Sequence, residues 1–141
     1  MRTSHAYPAA AFGVTALLAG MVTLPAYAGG GDFIEEDGTC SANASWIMKA
    51  KHDDGRIELE FSVDSNRAGQ TWAVRVTDNQ RLVFAGERVT NRLNQRFSVD
   101  RRPANLAGID HFLGRARNVR TGEVCRGHVD LGRVGSSGGS G

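Results

Sequence analysis

The sequence predicts an all-β domain, an antiparallel β-sandwich of about seven short strands, and three observations predict it. Apolar residues recur at every second position from Ser45 onward, which is the period of half-buried strands. Turn-forming residues separate these alternating runs at regular intervals. No stretch has apolar residues at three-and-four spacing over the length that a helix needs. The pattern is typical of immunoglobulin-like and fibronectin-like sandwiches, and a small closed barrel is the alternative.

The alternating runs place the strands one after another along the chain. The predicted strands cover residues 45–51, 56–63, 71–77, 81–89, 97–99, 112–116 and 125–131. The second run is the most regular, whereas the fourth contains Gly86, which marks a bulge or a sheet edge. Either Trp72 or Trp46 suits the tryptophan that such sandwiches bury between their sheets. In the sixth run, Gly114 and Ala116 are small enough to make room for a tryptophan ring.

The N-terminal 28 residues have the pattern of a cleaved signal peptide. Arg2 supplies a positive charge, residues 9–24 are apolar or small and uncharged, and residues 25–28 carry the small-x-small pattern of a cleavage site. The apolar stretch is too short for a convincing membrane span. We therefore expect a secreted, extracellular protein that begins near Gly29 and has no membrane span after cleavage.

Composition divides the rest of the chain. Residues 29–39 contain glycines and four acidic residues, and we expect a flexible acidic entry segment there. The sandwich domain is predicted at residues 40–134, a length that supports one modest core. Residues 135–141 contain only Gly and Ser, and we expect them to lie outside the fold. The chain has 17 Lys and Arg against 15 Asp and Glu, and this near-neutral balance argues against nucleic acid as a partner.

Cys40 and Cys125 are the only cysteines in the sequence. In an oxidising compartment two cysteines most simply form a disulfide, which here fastens the entry segment to the last strand. The loop closed by this bond is long, and chain entropy alone then stabilises the fold by about 4.5 kcal/mol at most. A catalytic or metal-binding thiol is the alternative, but no C-x-x-C motif or Cys/His cluster accompanies either residue.

Three short segments are similar to a group of known proteins. They are the runs from Val63 to Trp72, from Ala116 to Asn118 and from Thr121 to Cys125. Together they resemble small secreted proteins of high-GC bacteria that carry one β-sandwich domain after a signal peptide, a family of unknown function. The resemblance covers roughly residues 40–131. It implies export and a sandwich fold, and it assigns no site residues.

A group of basic residues on the last two predicted strands is the main candidate site. A hairpin around Thr121 and Gly122 is predicted to set Arg117 opposite Arg126 and Arg115 opposite His128. Like charges that face each other across a strand pair are unfavourable, so an anionic ligand would explain them. The alternatives are that the acidic entry segment folds over these residues, or that the arginines pair with acidic neighbours. The candidate acidic neighbours are Asp110, Glu123 and Asp130.

Other motifs give weaker signals. The loop Asp64-x-Asn66-x-x-Gly69 begins like a calcium loop, but Ala68 stands at the third ligand position and Arg75 at the position of the bidentate glutamate. We interpret it as an ordinary turn, which Asp and Asn favour. The histidines of the predicted mature chain share no metal-ligand spacing, and no catalytic motif is present. The histidines are His52, His111 and His128. We therefore predict no metal, no cofactor and no catalytic residues.

The sequence thus favours a secreted, non-enzymatic binding or interaction module. Its ligand would be anionic cell-envelope material or another extracellular protein, and the predicted contact residues are Arg115, Arg117, Arg126 and His128. The alternative is a secreted protease inhibitor that presents the loop from Arg101 to Gly108 to an enzyme. An enzyme with an unrecognised site is a third class, which no motif supports.

Overall fold

A computed structural model describes residues 33–132 of the protein, and every regular element among them is a β-strand. The predicted signal peptide at residues 1–28, the start of the entry segment at 29–32 and the Gly/Ser tail at 135–141 lie outside the described residues. The strands are β1 (Phe33–Thr39), β2 (Ser45–Asp53), β3 (Arg56–Asp64), β4 (Thr71–Asp78), β5 (Arg81–Val89), β6 (Arg96–Arg101), β7 (Asp110–Asn118) and β8 (Val124–Leu131).

The strands form two four-stranded antiparallel sheets. Sheet A has the order β1-β2-β3-β6 and sheet B the order β5-β4-β7-β8. Counted from β2, the second strand pairs with the fifth and the third with the sixth, which is the interlocked arrangement of immunoglobulin-like sandwiches. The predicted sandwich is therefore confirmed, with all seven predicted strands. Within residues 33–132 no named strand pair joins the sheets, so they do not close into the alternative barrel.

The prediction of a flexible entry segment was wrong for its described part. Phe33–Thr39 forms β1, which pairs with β2 along the edge of sheet A. The edge of β2 carries free backbone N–H and C=O groups, and β1 satisfies them. Ile34 and Gly38 are half-buried on the inner side, whereas the acidic side chains are exposed. The high acidic content concealed this weak alternation.

The core fills the space between the sheets. Trp72 and Phe112 on sheet B and Phe61 on sheet A are fully buried, and Trp46 is 6% exposed. The rings of Trp72 and Phe97 lie 6.1 Å apart across the core. The sequence offered either tryptophan for the core, and both are buried.

Two glycines of sheet B leave room for these core rings. A Cβ atom on Gly127 would lie 2.9 Å from the ring of Trp46. A Cβ atom on Gly114 would lie 2.8 Å from Met48 and 2.9 Å from Phe61. The small residues of the sixth predicted strand therefore accommodate a phenylalanine and a methionine, and a glycine of β8 accommodates the tryptophan.

Two hairpin registers differ from the prediction by two residues. The sequence placed Lys49 opposite Glu58, but the structure pairs Lys51 with Glu58. The reason is a tight two-residue turn, in which Asp54 and Gly55 have φ of 47° and 74°, so the strands run further toward it. A shift of two residues keeps each side chain on the predicted face and changes only its cross-strand neighbour.

The fourth predicted strand is an edge strand, as Gly86 indicated. β5 pairs only with β4 and forms one edge of sheet B. The irregularity in this pair lies elsewhere, where Val76 faces Phe84 but the next residue, Thr77, faces Leu82. The extra residue, Val83, makes a bulge near the hairpin end.

The predicted disulfide is confirmed. Cys40, directly after β1, is bonded to Cys125 in β8, so the bond joins sheet A to sheet B. Hydrogen bonds reinforce the connection, since the Ser41 amide donates to the Val124 carbonyl at 2.9 Å and the Val124 amide donates to Ser41 Oγ at 2.9 Å. The end of β1 is therefore held at the β7–β8 hairpin both covalently and by hydrogen bonds.

Candidate anion-binding face

Three arginines lie side by side on the outer face of sheet B. Arg75 of β4 is directly opposite Arg115 of β7, and Arg115 is directly opposite Arg126 of β8. All three are exposed. We call these three residues the arginine row. Because neighbouring strands lie about 4.8 Å apart, the row is about 10 Å wide at the backbone.

The core determines which way these arginines point. Val74, Ala116 and Cys125 are buried neighbours of the row along their own strands. Since successive side chains of a strand alternate between faces, each adjacent arginine must point outward. The arginine row is thus fixed by packing on the opposite face of the same sheet.

The structure brings the predicted basic residues to one face but changes their neighbours. Arg117 is opposite Val124 rather than Arg126, and His128 is opposite Leu113 rather than Arg115. The hairpin has a four-residue loop closed by the Asn118 amide, which donates to the Glu123 carbonyl at 2.8 Å. That closure moves the register by two residues from the predicted one.

Arg75 was not among the predicted site residues. Its outward position on the third predicted strand is visible in the sequence. The alternation does not reveal that β4 lies beside β7 in the sheet. Only this pairing makes Arg75 a direct neighbour of Arg115.

The acidic residues expected to neutralise the arginines are engaged elsewhere. Glu123 Oε2 accepts hydrogen bonds from the Ala42 and Ala44 amides, both at 2.9 Å. Asp130 Oδ1 lies 2.7 Å from Nδ1 of His111. Asp110 is fully buried on the inner face. Within residues 33–132, no carboxylate forms a salt bridge with the arginine row or Arg117.

The acidic entry segment does not cover the arginines over its described part. β1 belongs to sheet A, at the edge beyond β2. Glu35 of β1 forms a salt bridge with Lys49, with 3.6 Å between Nζ and Oε2. This part of the segment pairs with basic residues of its own sheet.

The surface around the arginine row is mostly apolar or uncharged. The row borders a shallow depression of about 320 Å³ that also contains Leu113 and His128. The side chains of Leu82 and Leu113 are 56% and 55% exposed, on strands that flank Thr77. Glu87 of β5 lines an adjoining depression with Arg75 and Arg115 but forms no salt bridge with any of residues 33–132. The face therefore keeps an excess of positive charge.

The outer face of sheet A has the opposite organisation. Its depression, of about 510 Å³, is lined by acidic and basic side chains together. Lys51 pairs with Glu58 at 3.7 Å, and Lys49 pairs with Glu35. The charges there neutralise one another, so this larger depression has no comparable attraction for an anion.

The loop that begins like a calcium site is a turn. The Asn66 amide donates to Asp64 Oδ1 at 3.0 Å, and Asn66 and Gly69 have φ of 58° and 70°. Asp64 Oδ2 also pairs with Arg96 at 3.4 Å. Among the described residues there is no group of three or more side chains that could hold a metal ion.

Asp78 and Asp110 form a buried carboxyl pair. They lie at the end of the sandwich away from the β7–β8 hairpin, where β4 ends and β7 begins. They are 2% and 0% exposed, and one oxygen of each has no hydrogen-bond partner among residues 33–132. Burial, the hydrogen bond with Asp110 and the charge of Asp110 raise the pKa of Asp78 to about 7. A proton shared between the two carboxyls would satisfy both oxygens. Asp78 borders a depression of about 380 Å³ beside Arg81 and Leu106, but both carboxyls are buried, so we assign the pair to the core.

The loop proposed for a protease inhibitor is held against its own sheet at its basic end. The Ile57 amide donates to the Pro103 carbonyl at 3.0 Å, and Arg56 Nε donates to the Arg102 carbonyl at 2.9 Å. The side chain of Arg102 pairs with Asp53. The backbone that would have to project toward an enzyme is therefore used inside the domain.

Comparison with known proteins gives no family for this chain, so its function has to be argued from the fold and the charged face. No protein family, curated protein or solved structure matches the chain. Across residues 33–132 no helix has the length and apolar character needed to cross a membrane. The fold is an immunoglobulin-like sandwich, and the arginine row is the candidate site on the outer face of sheet B.

Proposed function

We propose that the protein is a secreted, non-enzymatic binding module that holds an anionic ligand on the outer face of sheet B. The ligand class comprises acidic cell-envelope polymers and acidic patches of extracellular proteins. The contact residues are the arginine row together with Arg117, and His128 and Leu113 border it. This set keeps the predicted basic residues and adds Arg75.

One observation carries the proposal. Three arginines are directly opposed on adjacent strands, and no carboxylate of residues 33–132 pairs with them. Cross-strand like charges destabilise a sheet. An external anion removes that repulsion and gains charge-assisted hydrogen bonds to the guanidinium groups. Guanidinium forks match carboxylate and phosphate geometry better than ammonium groups do.

Export is supported by the sequence and by the disulfide. A signal-peptide pattern precedes the domain, and disulfides persist in oxidising compartments. The resemblance to exported single-domain sandwich proteins of high-GC bacteria agrees with this location. Detection of the mature chain in the culture fluid of the source organism, with its N-terminus near Gly29, tests export directly.

The binding experiment uses immobilised polygalacturonate as the anionic probe. The intact protein should be retained at low salt and released as salt is raised, because surface electrostatics is screened within about 10 Å at 0.1 M salt. The charge reversals Arg115→Glu and Arg126→Glu together should abolish retention. Arg115 and Arg126 are both exposed, so the variant should still fold and its melting temperature should change little.

A matched control separates the site from total charge. Lys49→Glu with Lys51→Glu changes the net charge by the same amount on the outer face of sheet A. This control should lose little retention. An equal loss of retention in both variants, or retention that does not change with salt concentration, would refute the arginine row as the binding site.

A further inference from the structure

A second cationic area lies at the end of the sandwich next to the β7–β8 hairpin. The β3–β4 loop and the β7–β8 loop enclose a depression of about 670 Å³, which we call the end cavity. Arg67 stands on one side of it and Arg120 on the other. Neither arginine forms a salt bridge within the described part of the chain. The two nearest acidic residues along the chain, Asp64 and Glu123, are bound to Arg96 and to backbone amides.

The end cavity is built from rigid loops. The Val119 amide donates to the Thr71 carbonyl at 3.0 Å, which ties one loop to the base of the other. Thr90 Oγ1 donates to the Arg67 carbonyl at 2.6 Å. Asn118 Oδ1 accepts the Arg120 and Thr121 amides at 2.9 and 3.0 Å. A preorganised cavity loses less entropy when a ligand binds.

Asn118 places an unpaired buried donor beside the end cavity. Asn118 lines the end cavity and is 1% exposed, and its Nδ2 group has no hydrogen-bond partner in the structure. The two backbone amides held by Oδ1 fix the orientation of the side-chain amide, so Nδ2 is the free group. A buried donor without an acceptor costs free energy. Because Nδ2 is closed off from solvent, a ligand oxygen in the cavity could reach it only after the side chain moves.

Arg117 connects the end cavity to the arginine row. It lies two residues beyond Arg115 on the same face of β7, a step of about 7 Å. Its Nη2 atom lies 3.9 Å from the point where a side chain on Gly122 would begin, so the guanidinium reaches the hairpin loop. Arg120 lies within that loop. Positive charge therefore continues from the face of sheet B to the end of the sandwich.

We propose that the arginine row, Arg117 and the end cavity form one continuous track for a linear acidic polysaccharide. This inference rests on the proposed function and specifies its ligand. A small anion cannot occupy both ends of the track at once, whereas a chain with a carboxylate on each sugar can. The hydroxyl and amide side chains of Gln70, Thr71 and Thr121 line the cavity and match sugar hydroxyls.

Nucleic acid fits the track less well. Single-stranded nucleic acid is usually held by aromatic side chains on which its bases stack. Among the described residues the most exposed aromatic is Phe33, and it lies on sheet A. The track is formed by arginines and polar side chains, with Leu113, His128 and Val119 beside them, and it offers guanidinium, hydroxyl and amide groups to a ligand.

The test measures affinity for galacturonate oligomers of increasing length by calorimetry, using the intact protein. Affinity should rise from the disaccharide upward and level off once the track is filled. Arg67→Gln with Arg120→Gln should lower affinity for the long oligomers about tenfold, the effect of losing charge-assisted hydrogen bonds of about 1.4 kcal/mol. The same variant should bind the disaccharide unchanged. Lys49→Gln with Lys51→Gln is the control and should bind all oligomers normally.

The outcomes separate the two proposals. If Arg75→Gln with Arg115→Gln weakens binding but the Arg67 and Arg120 variant behaves like the intact protein, the track is refuted and the binding face remains. If the Arg67 and Arg120 variant loses the same factor at every length, the track is also refuted. Single-stranded DNA of equal charge binding as tightly as the long oligomer would overturn the polysaccharide assignment. No binding of any oligomer by the intact protein, or binding that Arg75→Gln with Arg115→Gln leaves unchanged, would refute the binding face itself.

Discussion

The buried carboxyl pair predicts an unusual dependence of stability on pH. The pKa of Asp78 is about 7 in the folded protein, raised by burial and by Asp110 from an ordinary value of 3.8. His111 and Arg81 oppose this shift but do not cancel it. A group whose pKa is raised on folding stabilises the fold below its unfolded pKa, and this contribution is lost as pH rises through the folded pKa. The free energy of unfolding should therefore fall progressively as the pH rises from about 4 to about 7.

The structure sets the size of this effect. A difference of about three pKa units corresponds to about 4 kcal/mol of differential stability. This figure is an upper limit, because relaxation and water penetration reduce the penalty of burying a charge in real proteins. Asp78→Asn removes the ionisation and keeps a donor for the Asp110 carboxylate. The variant should be more stable than the parent at pH 8 and similar to it at pH 4.

Urea unfolding followed by tryptophan fluorescence measures this difference, because Trp46 and Trp72 are both buried. The free energy of unfolding is determined at several pH values between 4 and 8 for the parent and for Asp78→Asn. The variant Asp100→Asn, which removes an exposed carboxyl from sheet A, is the control and should follow the parent. A parent-to-Asp78→Asn difference that is the same at pH 4 and pH 8 would refute the shared-proton explanation.

Three further predictions concern the disulfide, the core and the binding face. Replacing Cys40 and Cys125 by Ala should lower the free energy of urea unfolding by up to about 4.5 kcal/mol; a loss below about 1 kcal/mol would contradict the loop-closure argument. Gly127→Ala should destabilise by about 1–3 kcal/mol, because its Cβ atom would lie 2.9 Å from two core rings. Thermal melts of Gly127→Ala and of the control Gly132→Ala measure this effect. A Cβ atom on Gly132 would have no heavy atom within 4 Å, so the control should melt like the parent. An equal loss of stability in both variants would count against packing as the cause. Glu87→Gln should strengthen retention on polygalacturonate by up to about fivefold, as expected for removing one exposed charge worth at most about 1 kcal/mol; unchanged or weaker retention would show that the adjoining depression does not face the ligand.

The predicted strands and the faces of their side chains were confirmed because alternation is a local property. Ile57 and Leu59 are buried on β3, as the sequence placed them, and Glu58 between them is exposed. The disulfide could also be predicted from the sequence, because Cys40 and Cys125 are its only cysteines. β1 escaped prediction because only Ile34 and Gly38 mark its inner face.

Neighbours across strands could not be predicted in the same way. Arg75 and Arg115 are forty residues apart in the sequence, and they meet because β4 and β7 pair in one sheet. The position of Arg126 opposite Arg115 depends on a four-residue loop whose closure is set by Asn118. Loop geometry of this kind changes the register by whole residues without changing the hydrophobic pattern.

The sequence by itself determined the number of central strands, the faces that they bury and the single cross-link between the cysteines. These follow from a two-residue period and from sulfur chemistry, which need no knowledge of distant contacts. The tertiary structure alone decided that three arginines share a row, that the nearby acids are already engaged and that two aspartates meet inside the core. Each of those facts depends on which strands lie side by side, and alternation along a single strand does not encode that arrangement.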